Sequence, residues 1–162
     1  MKMDITAEEA FSRLAALCAR GERCRGDMLD KMRLWGLTDG ERAAVMAKLE
    51  EGRYVDDERY ARAFARDKVR YAKWGRRKIE QALRMKHVDG EIVDSVLDGI
   101  GDSDYLSVLR PLLKQKLRTT KAADTRELHH KMVRYALGRG YTMDLLRQVL
   151  DTCDSDDTSY DE

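Results

Sequence analysis

The chain has 162 residues, 43% of them hydrophobic and 38% charged, with a formal net charge of +1. That length admits one ordinary domain or a few small repeated units and excludes a large multidomain enzyme, while the apolar fraction is too high for a wholly disordered chain. One proline, few runs of Val, Ile and Thr, and an abundance of Ala, Leu, Met, Glu, Lys and Arg predict an all-α protein.

In chain order, the first predicted helix covers about 7 to 20. Thr6 and Glu9 form a capping box at its start, and Ala7, Ala10, Phe11, Leu14, Leu17 and Cys18 share one stripe. Two short helices then flank a break at Leu37, with Met28 and Met32 before it and Val45 and Met46 after it. Gly36 can end the first in a left-handed conformation, and Thr38 with Glu41 caps the second. A longer helix follows over about 56 to 73, then a second pair around Val88, with Ile79 and Leu83 on one side and Val96 and Leu97 on the other. Asp89 is its cap, but His87 stands where a glycine is wanted, so the end of that helix is left undefined. The third long helix covers about 103 to 118 and carries Tyr105, Leu109 and Leu112; Pro111 should kink it or mark its true start. The last pair surrounds Tyr141, with Met132 and Ala136, Val149 and Leu150, Gly140 as terminator and Thr142 as cap.

Leu37, Val88 and Tyr141 lie 51 and 53 positions apart, and the flanking apolar positions recur with them. The pattern predicts three tandem three-helix repeats, each helix-turn-helix-like, over 7–51, 53–100 and 102–151. A trihelical unit of about 50 residues buries little surface alone, so neighbours should share contacts in an elongated, curved array. Residues 152–162 are acidic and read as a disordered tail.

The net charge conceals a strong partition. Residues 1 to 58 carry 10 basic and 13 acidic side chains, 59 to 86 carry 11 and 2, 87 to 150 carry 10 and 9, and 151 to 162 carry 0 and 6. Within the basic centre Arg59, Arg62, Arg66, Arg70 and Lys73 occupy one helical arc of about 80°, with Tyr60, Phe64 and Tyr71 roughly opposite and available for packing. Arg76, Arg77, Lys78, Arg84 and Lys86 follow on the next helix, with Ile79 and Leu83 turned inward. A charge-rich helix is usually just a solvated face. Here only Asp67 and Glu80 oppose the cations, and the self-repulsion calls for an anionic partner. A sparser basic patch runs from Lys114 to Lys131 and Arg134, where ordinary surface is an equal reading.

Other chemistry is poorly supplied. Cys18, Cys24 and Cys153 make no disulfide set or metal pair, His87, His129 and His130 lack zinc spacing, and Cys18 reads as a small buried hydrophobe. No phosphate loop, HExxH pair, nucleophile elbow or triad is present, and Asp56, Asp57 and Glu58 are explained by a helix start. A non-enzyme without metal or cofactor is expected, in reducing cytoplasm, since no apolar run is long enough for a membrane span or an export signal.

The run Gly52-Arg53-Tyr54-Val55-Asp56-Asp57-Glu58-Arg59-Tyr60-Ala61-Arg62-Ala63-Phe64, followed by Trp74-Gly75-Arg76-Arg77-Lys78-Ile79, Leu83 and Lys86, resembles the signature of the RecX family of bacterial recombination regulators. Lys131-Met132-Val133-Arg134-Tyr135-Ala136-Leu137 with Arg139-Gly140-Tyr141 resembles its C-terminal unit. The resemblance implies three tandem three-helix repeats in the groove of the RecA filament on single-stranded DNA, inhibiting ATPase, strand exchange and coprotease activities. Within these motifs the basic residues Arg59, Arg62, Arg66, Arg70, Lys73, Arg76, Arg77, Arg84, Lys131 and Arg134 are the expected partner contacts, while Tyr60, Phe64, Ile79 and Leu83 fall on the inward stripes and are expected core. Trp74 is either a packing residue or an exposed anchor and is grouped with the contacts. Direct DNA contact and a monomeric state complete the expectation. The alternative is a helix-turn-helix DNA-binding regulator, although the short side chains around the turns supply no base-reading code.

Overall fold

A computed structural model describes residues 5–156, with side chains up to 151. The described residues form α1 (Ala7–Arg20), α2 (Arg25–Leu34), α3 (Asp39–Glu51), α4 (Asp57–Asp67), a π-helical turn (Lys68–Ala72), α5 (Arg76–Met85), α6 (Gly90–Asp98), α7 (Asp102–Thr119), α8 (Thr125–Gly138) and α9 (Met143–Asp156). The fold is all-α with tandem three-helix repeats. Among the described residues no helix is long and apolar enough to cross a membrane.

The repeat is most exact at the turn between the second and third helix of each set. Gly36, His87 and Gly140 all have positive φ, at 79°, 60° and 93°. The next residue donates its N–H five positions back, Leu37 to Met32 O at 3.1 Å, Val88 to Leu83 O at 3.2 Å and Tyr141 to Ala136 O at 3.2 Å. This Schellman closure satisfies orphan carbonyls, and Leu37, Val88 and Tyr141, the residues that make it, are all buried. His87 therefore does the glycine's work and ends α5 as its neighbours end α2 and α8, at the steric cost that a Cβ incurs in the left-handed region. His87→Gly should raise unfolding free energy by about 1 kcal/mol in a urea titration.

Each following helix is capped as the spacing predicts. Thr38 and Glu41 exchange both bonds of a capping box, Asp89 accepts from Glu91 N–H at 2.8 Å, and Thr142 accepts from Leu145 N–H at 3.4 Å. At Thr6 only one arm of the expected box is present, the Glu9 N–H donating to the Thr6 hydroxyl at 3.1 Å. Pro111 neither starts nor ends a helix; it lies inside α7, where the carbonyl four residues earlier forgoes its usual donor. α9 runs to Asp156, and residues 157–162 of the stretch read as a disordered acidic tail lie outside the described residues.

The described residues pack as two compact units, one comprising those up to Phe64 together with Ala82–Val96, the other Ala65–Gln81 and those from Leu97 onward. In the first, Ala10, Leu14, Met28, Met32, Val45 and Leu49 form the centre of a core without exposed surface above 2%. The start of α2 lies against the end of α5. A Cβ on Gly26 would overlap the Lys86 carbonyl, the Cys24 thiol approaches that same oxygen at 3.9 Å, and Lys86 Nζ meets Asp27 at 3.0 Å. Burial pushes the Cys24 thiol up to about 11, so it is an inert core group at neutral pH.

The second unit repeats that arrangement 51 to 53 positions on. The Gly75 N–H donates to Arg139 O at 2.8 Å and the Arg77 N–H to Gly140 O at 3.1 Å, so the α8–α9 turn caps the start of α5. The Arg139 guanidinium also donates to the carbonyls of Ala72 at 2.8 Å and Lys73 at 3.2 Å. Gly75 stands where the first unit has Cys24, and Arg139 where it has Lys86.

Candidate functional site

The helix expected over 56 to 73 changes winding partway. After Asp67 the backbone passes into the π-helical turn, and Lys73 then adopts a left-handed conformation with φ 57° and ψ 49°. Trp74 N–H closes the turn on Lys68 O at 2.9 Å. Because a π turn advances each residue less than an α turn does, the single arc drawn from α periodicity fails beyond Asp67. Val69 takes the inward position at 8% exposure, while Tyr71 is 73% exposed instead of packing with Tyr60 and Phe64. Those two rings stack on each other with centroids 5.8 Å apart, Tyr60 buried and Phe64 half-buried. Ile79 and Leu83 are fully buried, as expected of core.

The predicted cations divide by what already holds them. Arg59 is committed within the first unit: Nε meets Glu22 at 2.6 Å, and Nη2 donates to Arg53 O at 3.0 Å and Tyr54 O at 3.4 Å. It secures the α3–α4 connection. Arg62 pairs with Glu58 one helical turn earlier at 2.7 Å, an exposed contact of about 0–1 kcal/mol that water or a partner readily replaces. Arg84 is exposed near the end of α5.

In the second unit Arg76 meets Asp98 at 2.6 Å, and that hydrogen bond holds its guanidinium above the ordinary range. Lys131 reaches Glu127 at 3.3 Å and Lys121 O at 2.6 Å, so it staples the loop before α8. Together with the Ala123 N–H, it holds the Glu127 carboxyl below its usual range. Arg134 is exposed. Trp74 is half-buried, with Lys68 Nζ 4.8 Å and Lys78 Nζ 4.7 Å from its ring centroid. Its ring is a cation platform, neither a simple core residue nor a bare anchor.

Arg66, Arg70, Lys73 and Arg77 are exposed, and none of their side chains has an ion pair or hydrogen bond with another described residue. All belong to the second unit. Of the cations expected to meet a partner, Arg59, Arg62, Arg76 and Lys131 thus already have partners inside the chain, and Arg66, Arg70, Lys73 and Arg77 do not. What the sequence missed is Tyr71, whose exposure depends on the π turn, and Arg139, whose partners are main-chain carbonyls distant in sequence. Only the unusual density of basic and aromatic residues between 66 and 78 could have drawn attention to Tyr71.

Two family models match this chain. One, described as "RecX, second three-helix domain", covers residues 56–97, and the other, "RecX, third three-helix domain", covers 102–150. The chain belongs to the RecX family. The "Regulatory protein RecX" of Mycolicibacterium vanbaalenii is 31% identical over 145 residues, spanning 83% of this chain and 79% of that protein. Its namesake in Acinetobacter baylyi is 26% identical over 149 residues, spanning 92% and 91%. The crystal structure of RecX from Lactobacillus salivarius superposes with a TM-score of 0.84 over 91% of this chain and 96% of that one; at 18% identity the likeness concerns the fold. RecX proteins are non-enzymatic regulators, and the described residues of this family member hold no cluster of His, Cys, Asp or Glu that could bind a metal ion. The matched second domain contains the π turn and the unpaired cations, so they lie within the RecX signature segment.

Proposed function

We propose that this chain is a negative regulator of homologous recombination and of the SOS response, acting in the cytoplasm as a monomer. It binds the groove of RecA filaments on single-stranded DNA and inhibits their ATPase, strand-exchange and coprotease activities, without chemistry of its own. RecX membership supports the regulatory role. The observation that carries the reading further is the set Arg66, Arg70, Lys73 and Arg77, exposed and without internal counter-charges. Such a set repels itself and is favourably met by an external anionic surface, which a nucleoprotein filament supplies.

A helix-turn-helix regulator would read duplex bases with the N-terminal residues of its third helix. Those positions here are acidic: Asp39 and Glu41 open α3, Asp89 and Glu91 stand at the start of α6, and Asp144 lies in the first turn of α9. Carboxylates at a groove-entering helix start repel phosphate, so this geometry favours a filament partner over a major groove.

The test adds the purified protein to preformed RecA filaments on single-stranded DNA and follows filament length and ATP hydrolysis, with naked DNA binding as control. Inhibition at protein levels far below those that coat the DNA is the expected result. No inhibition, with tight and sequence-selective duplex binding, would overturn the reading.

A further inference from the structure

We propose that the π-helical turn of the second unit is a binding site for single-stranded nucleic acid, in which Tyr71 stacks on an unpaired base while Arg70 and Lys73 hold the flanking phosphates. The inference rests on the filament reading for its biological setting, and it gives the basic segment a chemically defined ligand.

Tyr71 is the starting point. Its ring is 73% exposed, although an α-helical continuation would have turned it toward Tyr60 and Phe64. Local π winding is frequent at functional sites because it re-aims a side chain without breaking the helix. Here the winding leaves an aromatic ring in water, with the exposed cations Arg70 and Lys73 on either side of it in sequence. Three residues further on, Trp74 carries Lys68 and Lys78 over its ring, so the segment alternates flat π surfaces with positive charges. Neighbouring Arg66 and Arg77 lack internal partners and extend the positive field.

The backbone beneath is fixed. Arg139 holds the carbonyls of Ala72 and Lys73, Trp74 N–H closes on Lys68 O, and Gly75 N–H is anchored on Arg139 O at 2.8 Å. A ring presented from a fixed turn loses little conformational freedom on stacking. Base stacking on such platforms contributes substantially per base and tolerates any sequence. A duplex conceals its base faces, so the arrangement selects the single strand. An acidic protein surface would satisfy the cations equally well but gives no reason for a flat ring standing in water beside them in the chain.

The experiment measures anisotropy of a fluorescent oligothymidine against the full chain, without RecA, beside a duplex of equal length. The intact chain should bind the single strand more tightly than the duplex. Tyr71→Ala should weaken single-strand binding about tenfold or more, with the salt slope unchanged because no charge is lost. Tyr71→Trp should restore it. Arg70→Gln should weaken binding and flatten the slope by about 0.7. Because Tyr71 is exposed, its variants should melt like the parent protein. Failure of the intact chain to prefer the single strand, or equal affinity of Tyr71→Ala and the parent, overturns the proposal. Filament inhibition by the intact protein is recorded in parallel. Its absence with oligothymidine stacking intact would remove the filament reading and leave this site standing, and the converse result would do the reverse.

Discussion

Gly75→Ala is expected to destabilise the second unit by about 3 kcal/mol or more, although it adds only one methyl group. A Cβ at this position would overlap the Gly140 carbonyl and Tyr141 N, both main-chain groups of the α8–α9 turn that have no side-chain torsion by which to move aside. The turn must retreat, and with it go the bonds from Gly75 N–H to Arg139 O at 2.8 Å and from Arg77 N–H to Gly140 O at 3.1 Å. Each lost bond costs about 0.5–1.5 kcal/mol, and more where the freed group stays buried. Both Gly75 and Gly140 are buried, and Tyr141 beside them is only 1% exposed, so water cannot easily take over. Gly90→Ala is the control. It lies at the start of α6 with nothing near its would-be Cβ, and its effect should stay within about 0.5 kcal/mol. Urea titration gives the magnitudes. Amide exchange should show lost protection at the donors of those bonds, residues 75 and 77, while the Leu37 and Val88 closures keep theirs; uniform loss, or no loss, would refute the role assigned to this glycine.

That prediction could not have been made from sequence, and the reason is physical. Gly75 precedes a helix, and nothing near it in sequence shows why a side chain is excluded; what makes glycine indispensable is the close approach of the Gly140 carbonyl and Tyr141 N, more than 60 positions on. Local determinants were readable. Leu37, Val88 and Tyr141, the caps Thr38, Asp89 and Thr142, and the inward Ile79 and Leu83 follow from period and side-chain chemistry within a turn or two. His87 marks the boundary of that legibility. Its residue type argued against a left-handed terminator, yet the closure of Val88 N–H on Leu83 O and the burial of Val88 and Leu83 overrule the preference. The π turn was beyond reach for a related reason. Its register is set by Arg139 on the Ala72 and Lys73 carbonyls and by the burial of Val69, and a 100° wheel has no term for either. For the candidate site this matters directly, because the wheel merged Arg59, which holds its own unit together, with Arg66 and Arg70, which do not.

The same distinction yields the largest functional effect. Replacing Arg66, Arg70 and Arg77 together by glutamine should raise the protein concentration for half-inhibition of RecA-filament ATP hydrolysis by about tenfold or more. Exposed charge pairs contribute up to about 1 kcal/mol each, and three lost together reach that scale even after solvent screening. Stability should be unaffected or slightly improved, because these side chains have no ion pair with described residues and their mutual repulsion is relieved. Arg59→Gln should behave in the opposite way. It removes the Glu22 pair and the bonds to Arg53 O and Tyr54 O, lowering unfolding free energy by about 1–3 kcal/mol while leaving inhibition by the folded fraction near normal. Salt provides an independent check: inhibition by the parent protein should weaken with ionic strength more steeply than inhibition by the triple variant, since fewer counterions are released when fewer cations bind. If the triple variant inhibits like the parent at every salt concentration, the second unit's cations are solvated surface and the filament must be held elsewhere. If Arg59→Gln alone abolishes inhibition without loss of stability, the division between holding the fold and holding the partner has been drawn at the wrong residue.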